Sequence, residues 1–192
     1  MTRQLAVAVI TVLFVFGLAP TFALAAPASV NHTMYLFQLG QTGLPGVTLP
    51  DPGPDIAMAP NGNTVSMMGT GSFTAGPDKS VSGGGTYVIK DASGAILHQG
   101  SWTATQMLGF VNYGSGSVQG VPSFLFGGQA TMMVNLSGVG TGVLNINCTL
   151  GTPPGGHASA AEEGIDLMLG NGLTFNREVM GDTVFVNPAQ MP

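Results

Sequence analysis

Charge is what this sequence has least of. Asp, Glu, Lys and Arg together make up 7% of its 192 residues, against roughly a quarter in an ordinary soluble domain. The basic residues are only Arg3, Lys79, Lys90 and Arg177. So few cations leave no footprint for displacing counterions from a phosphate backbone, which excludes nucleic acid as a partner. An anionic membrane surface is disfavoured for the same reason. Low charge does not imply disorder here, because 44% of the residues are hydrophobic and supply a core. The surface must be covered by Ser, Thr, Asn, Gln and Gly. Cysteine is nearly absent too: Cys148 stands alone, so no internal disulfide forms and stability must come from packing. Helical periodicity is missing. Thirty glycines and thirteen prolines punctuate the chain, and both are poor helix formers. No Gly-x-Ser-x-Gly elbow and no His-Glu-x-x-His pair occurs, so those two hydrolase signatures are excluded.

The amino terminus carries a secretory pattern. Arg3 is followed by an apolar or small run from Leu5 to Leu18, a break at Pro20, and a small-x-small site at Ala23-Leu24-Ala25. The run is short for a membrane span, which takes about 20 apolar residues, and no basic stop-transfer cluster follows. Residues 1–25 therefore read as a signal peptide. Residues 26–192 remain as one domain, extracellular or periplasmic, with no membrane span after processing. No cysteine near the cleavage site offers a lipid anchor.

What fills this domain is period-2 alternation. Leu144, Ile146, Cys148 and Leu150 alternate with Val143, Asn145, Asn147 and Thr149. Ala130, Met132, Val134 and Leu136 alternate with Gln129, Thr131, Met133 and Asn135. Ile165, Leu167 and Leu169 flank Asp166 in the same way. Each reads as a strand with one dry face, and Cys148 lies on such a face. Further strands are expected at Met34–Leu39, Thr64–Met68, Gly71–Ala75, Gln106–Tyr113, Ser123–Phe126, Leu173–Asn176 and Thr183–Val186. About 8–10 short strands with frequent turn signals predict an all-β domain, a single antiparallel β-barrel or β-sandwich. Residues 40–63, rich in proline, read as a long surface loop, and residues 152–164 as a second, mobile one.

The stretch from Ser82 to Trp102, "SGGGTYVIKDASGAILHQGSW", reads as a hairpin. Asp91-Ala92-Ser93-Gly94 has the composition of a type I turn with glycine in the left-handed position. Pairing Asp91 with Ala95 would set Ile89 opposite Leu97 and Val88 opposite His98. Tyr87, Ile89 and Leu97 would then share the core face. Lys90, His98 and Trp102 would share the other, a candidate binding pocket if that face lines a barrel. The Gly83-Gly84-Gly85 run opens no helix, so it is no phosphate cradle. A bend or bulge explains it better.

The order "GTGSF", "GGGTYVIKDASGAILHQGSWTAT", "GFVNYG", "LNINCTLGTPPG" and "EEGIDL", from Gly69 to Leu167, resembles short secreted bacterial all-β proteins of unassigned function. That resemblance implies a secreted β fold and carries no activity or site residues.

The remaining titratable groups are few and scattered. His157, Glu162 and Glu163 form the densest cluster, but their spacing matches no ligand pair and the segment reads as solvated loop. Asp51 and Asp55 offer oxygens to calcium, yet "PDPGPD" reads as a turn with exposed aspartates. Cys148 has only apolar neighbours on its face and reads as an inert core thiol. Paired methionines, Met67-Met68 and Met132-Met133, fill irregular cores or serve apolar surfaces. The expected function is a non-catalytic binding or surface-interaction module, with a small apolar ligand or a surface partner and no cofactor or metal. The alternatives are a small isomerase- or cyclase-like barrel enzyme using His98, Trp102 or Asp166 on an apolar substrate, and a structural envelope or matrix protein.

Overall fold

The computed structural model describes residues 32–40, 44, 47, 53–155 and 163–192. The expected signal peptide lies outside them. Eleven strands follow one another: β1 (Thr33–Leu39), β2 (Asp55–Met58), β3 (Thr64–Ala75), β4 (Ser80–Lys90), β5 (Ile96–Ser115), β6 (Leu125–Leu136), β7 (Gly140–Cys148), β8 (Gly164–Leu169), β9 (Thr174–Phe175), β10 (Arg177–Met180) and β11 (Thr183–Val186). Two short 3-10 turns, Gly116–Gln119 and Pro188–Gln190, complete the described secondary structure. Among the described residues no helix is long and apolar enough to cross a membrane.

All ladders are antiparallel, and one circuit of them closes. β3, β4, β5 and β6 pair in succession, β6 pairs β11, β11 pairs β1, and β1 returns to β3. A second circuit shares β3 to β6. From β6 it passes through β7, β8 and β9 to β10, one residue further on, which pairs β2, and β2 returns to β3. Such closure leaves few open sheet edges for unwanted pairing. The all-β expectation is met, and the closed circuit makes it a barrel. Its strands are not all short: β5 runs for 20 residues and bends by register shifts around Thr105, Leu108 and Tyr113.

The interior is filled by the inward half of each alternation. Met132, Val134, Leu136, Leu144, Ile146, Cys148, Leu167 and Leu169 are all buried, as their spacing predicts. Toward the end closed by β1 and β11 the filling is aromatic. Phe73 and Phe110 lie 4.8 Å apart between centroids, Tyr35 and Phe110 4.9 Å, and Phe110 and Phe185 5.1 Å. Tilted and edge-on contacts of this kind suit the ring quadrupole.

The glycine run is neither a bulge nor a ligand cradle. The β3–β4 ladder is unbroken from Thr64↔Lys90 to Thr74↔Ser80, and it sets Gly69 opposite Gly85 and Gly71 opposite Gly83. A Cβ on Gly69 would meet the Trp102 ring at 2.5 Å, and one on Gly71 would meet the Phe37 ring at 2.5 Å. The four glycines thus form a floor without side chains on which two large rings lie. Trp102 is fully buried there, and its Nε1 donates to the Met68 carbonyl at 3.0 Å.

Two local expectations are corrected. The Asp91 turn forms, with Gly94 at φ +88° and the Asp91 side chain accepting from Ser93 and Ala95. Beyond it, however, Lys90 faces Ile96 and Ile89 faces His98, leaving Leu97 as an extra residue. This one-residue shift exchanges faces. Trp102 joins Tyr87 and Ile89 inside, while Leu97 is 47% exposed. Second, residues 40–63 are not all loop, because β2 forms within them and a tight turn at Ala59–Asn63 joins it to β3. Residues 41–43, 45–46, 48–52 and 156–162 of the two expected loops lie outside the described residues.

Candidate functional site

The wall of the barrel divides where its two circuits part. The second edge of β3 passes from β2, which ends its pairing at Met67, to β1, which begins at Gly69. On the opposite side β6 passes from β7 at Gly128 to β11 at Phe126. Strand ends that diverge leave backbone donors without ladder partners, and such donors need acceptors. Carboxylates supply them. Glu163 accepts from the Thr183 amide at 3.2 Å through Oε1, and from the Thr149 hydroxyl at 2.6 Å through Oε2. Glu178, on β10, accepts from the Ile165 amide at 3.1 Å. The Thr183 hydroxyl donates across the seam to the Asn147 carbonyl at 2.6 Å.

Asp55 is different. It opens β2 opposite Met67, is 0% exposed, and neither of its oxygens has a hydrogen-bond partner. Burial pushes its carboxyl up to about 9, and the nearby charges of Glu178, Glu163 and Asp182 push the same way. The Asp182 amide is the one opposing influence. Asp55 is therefore a neutral acid at pH 7, which is how a buried carboxyl without a cation avoids the cost of a charge. Two glycines make room. A Cβ on Gly181 (φ +146°) would sit 2.0 Å from Asp55 Oδ1, and one on Gly164 (φ +130°) would sit 1.9 Å from Glu178 Oε2. Glu163 is also raised, mainly by burial, although its hydrogen bonds from Thr149 and Thr183 pull it back.

Chemically, the described side chains that meet here are mostly carboxyl groups. Arg177 adjoins Glu178 in sequence but is exposed, with its guanidinium against Met58 Sδ. Cys148 lies beneath Glu163. Burial first, then that carboxylate, lifts its thiol to about 12, so it is protonated and unreactive. Among the described residues no three His, Cys, Asp or Glu groups converge closely enough to hold a metal ion.

The residues singled out in the sequence are dispersed. Lys90 and His98 are exposed on the β4–β5 hairpin while Trp102 is inside, so the three do not form one pocket. Asp166 is half-buried on the outer face, opposite Asn145. Of the acidic loop, Glu163 belongs to the seam, whereas His157 and Glu162 lie outside the described residues, as does Asp51. Asp55 was the residue that sequence reasoning misplaced, taking it for an exposed turn carboxylate. Its signal was parity: Asp55 and Ala57 share one face of a four-residue strand, and both are buried. Surface recesses exist elsewhere. One of about 310 Å³ is bordered by Thr74, Lys79, Met107 and Phe110, and one of about 190 Å³ by Leu36, Leu44, Val47, Val186 and Met191. Neither touches Lys90, His98 or Trp102.

The geometry defines a closed antiparallel barrel with a side-chain-filled interior and an acidic seam. Compared with protein-family models, curated proteins and solved structures, the chain matches none.

Proposed function

We propose that the chain is a secreted, non-catalytic binding module that engages an uncharged, hydrogen-bonding partner through the outer face of β5 to β8. The carrying observation is the composition of that face. Strand register lines up Thr103, Asn135 and Thr141 in one row, Gln106, Met133, Val143 and Met168 in the next, and Thr131, Asn145 and Asp166 in a third. Asp166 is the single ionisable side chain in these rows, and burial raises its pKa toward the neutral form. Amide, hydroxyl, thioether and aliphatic groups on this ladder offer hydrogen bonds and dispersion without charge steering. Export is supported by the pattern in residues 1–25 and by the shortage of charge.

Binding of this kind should be insensitive to salt. The test is co-sedimentation of the purified protein with a cell-envelope fraction of its own host, at low and at high ionic strength. Retention at both, lost on Asn145→Lys, supports the reading. Elution by salt, or turnover of a panel of extracellular substrates, overturns it.

A further inference from the structure

The seam gathers ionisable groups from nearly every element that meets there. Asp55 comes from β2, Glu178 from β10, Glu163 from the residue before β8, Asp182 from the residue before β11, and Cys148 from the end of β7. β3, which flanks Asp55 on its other side, contributes no titratable group. No cationic side chain is hydrogen-bonded to Asp55, and Arg177 is turned toward Met58 and solvent. Three carboxyl groups therefore lie around a fourth that is wholly enclosed, with no well-formed hydrogen bond to its oxygens among the described residues and only the Asp182 amide favouring its charged form.

The elements carrying these groups differ in how firmly they are held. β3 to β6 pair along long ladders on both edges. β2 and β10 are four residues each, and their mutual ladder is interrupted between Glu178 and Met180. Short strands with few ladder bonds open at lower free energy than the body of a sheet. Asp55 sits on one of these strands and Glu178 on the other.

We propose that the seam is a proton-held latch: with Asp55 neutral, β2 and β10 close the barrel wall against β8 and β11, and ionisation of Asp55 beside Glu178, Glu163 and Asp182 releases the β2–β10 pair while β3 to β6 stay closed. The step is a simple loss of the Asp55 carboxyl proton to solvent. A bare charge left in that enclosure has two ways to be solvated: the wall opens to water, or the proton returns. The direction follows from linkage. The folded state holds a proton that the unfolded or opened state gives up at ordinary carboxylate pH, so the closed form is favoured fully below about pH 4 and loses ground as pH rises, up to the folded value of about 9. For one proton the closed-to-open ratio falls about tenfold per pH unit inside that window.

Hydrogen exchange of the purified full chain tests this. Protection is followed by mass spectrometry at pH 6 and pH 9 and corrected for the intrinsic exchange rate, with β4 and β6 peptides as internal references. The expected result is a loss of protection of at least tenfold in peptides covering β2 and β10 at the higher pH, with the references changed far less. Asp55→Asn, which cannot ionise, should remove the pH-dependence. Should that variant fold poorly, Glu178→Gln, which removes the like charge that acts most strongly on Asp55, should reduce the loss. Equal protection of β2 and β10 at both pH values in the wild type overturns the latch. So does an unchanged alkaline loss in either folded variant.

Discussion

Trp102 is the side chain on which the interior most visibly depends. It lies on the glycine floor, stacks near Phe37 with centroids 6.4 Å apart, and satisfies its indole N–H on Met68. Trp102→Ala should lower stability by about 3–5 kcal/mol, read from urea unfolding. Gly85→Ala should be more disruptive still, because its Cβ would fall 1.8 Å from the Met68 carbonyl oxygen, a backbone atom that no rotamer change can move. Cys148 offers a third check: a thiol raised to about 12 inside the core should resist maleimide in the native protein and react promptly in denaturant. The burial of Cys148 was legible from simple alternation, since Ile146 and Leu144 share its parity. That of Trp102 was not, because a single extra residue at Leu97 reversed the parity of the residues that follow it on β5, up to the next shift at Thr105. Asp55 escaped for another reason. An aspartate directly after Pro52-Gly53-Pro54 carries a strong turn signal, and only tertiary enclosure makes it an interior residue.

At the level of elements, the β4–β5 hairpin shows what local chemistry can and cannot specify. The Asp91–Gly94 turn was readable because the φ +88° at Gly94 suits glycine best. Gly94→Ala should destabilise by about 1 kcal/mol even though open space surrounds the position. Gly109→Ala is the contrasting control. Its surroundings are equally empty, and it lacks a left-handed φ, so the substitution should be neutral or mildly stabilising in the same urea assay. The existence of most strands followed from periodicity, β2 and β10 excepted, whereas strand extent did not. Thr64–Met68 and Gly71–Ala75 proved to be one strand, because paired glycines that look like breaks are held in an unbroken ladder with β4. The short strand β2 was hidden by its proline-rich surroundings.

For the molecule as a whole, closure of the circuit makes most of its contacts remote in sequence: β1 pairs with β11, and β6 with both β5 and β11. Such topologies fold slowly, on the millisecond-to-second scale. The acidic seam sets the global pH response. Asp55, Glu163 and Asp166 all have raised values in the folded state, so stability should be greatest in mild acid and decline toward pH 9. Above that, ionisation of the unfolded Cys148 thiol should steepen the decline. Denaturant midpoints across this range would show it, and a midpoint rising with pH would contradict it.

The shortage of basic residues has one more consequence. Past the expected leader, an endopeptidase that cuts after lysine or arginine finds only Lys79, Lys90 and Arg177. Lys90 is held within β4 between two neighbouring strands, and Arg177, on β10, is engaged by β2 for as long as the seam stays closed; backbone paired in this way cannot enter a protease cleft. Lys79, in the bend between β3 and β4, is tied by its ammonium group to the Leu108 carbonyl. Outside a cell, where digestive enzymes of this specificity circulate, the fold would present them with a single bend and otherwise closed cloth.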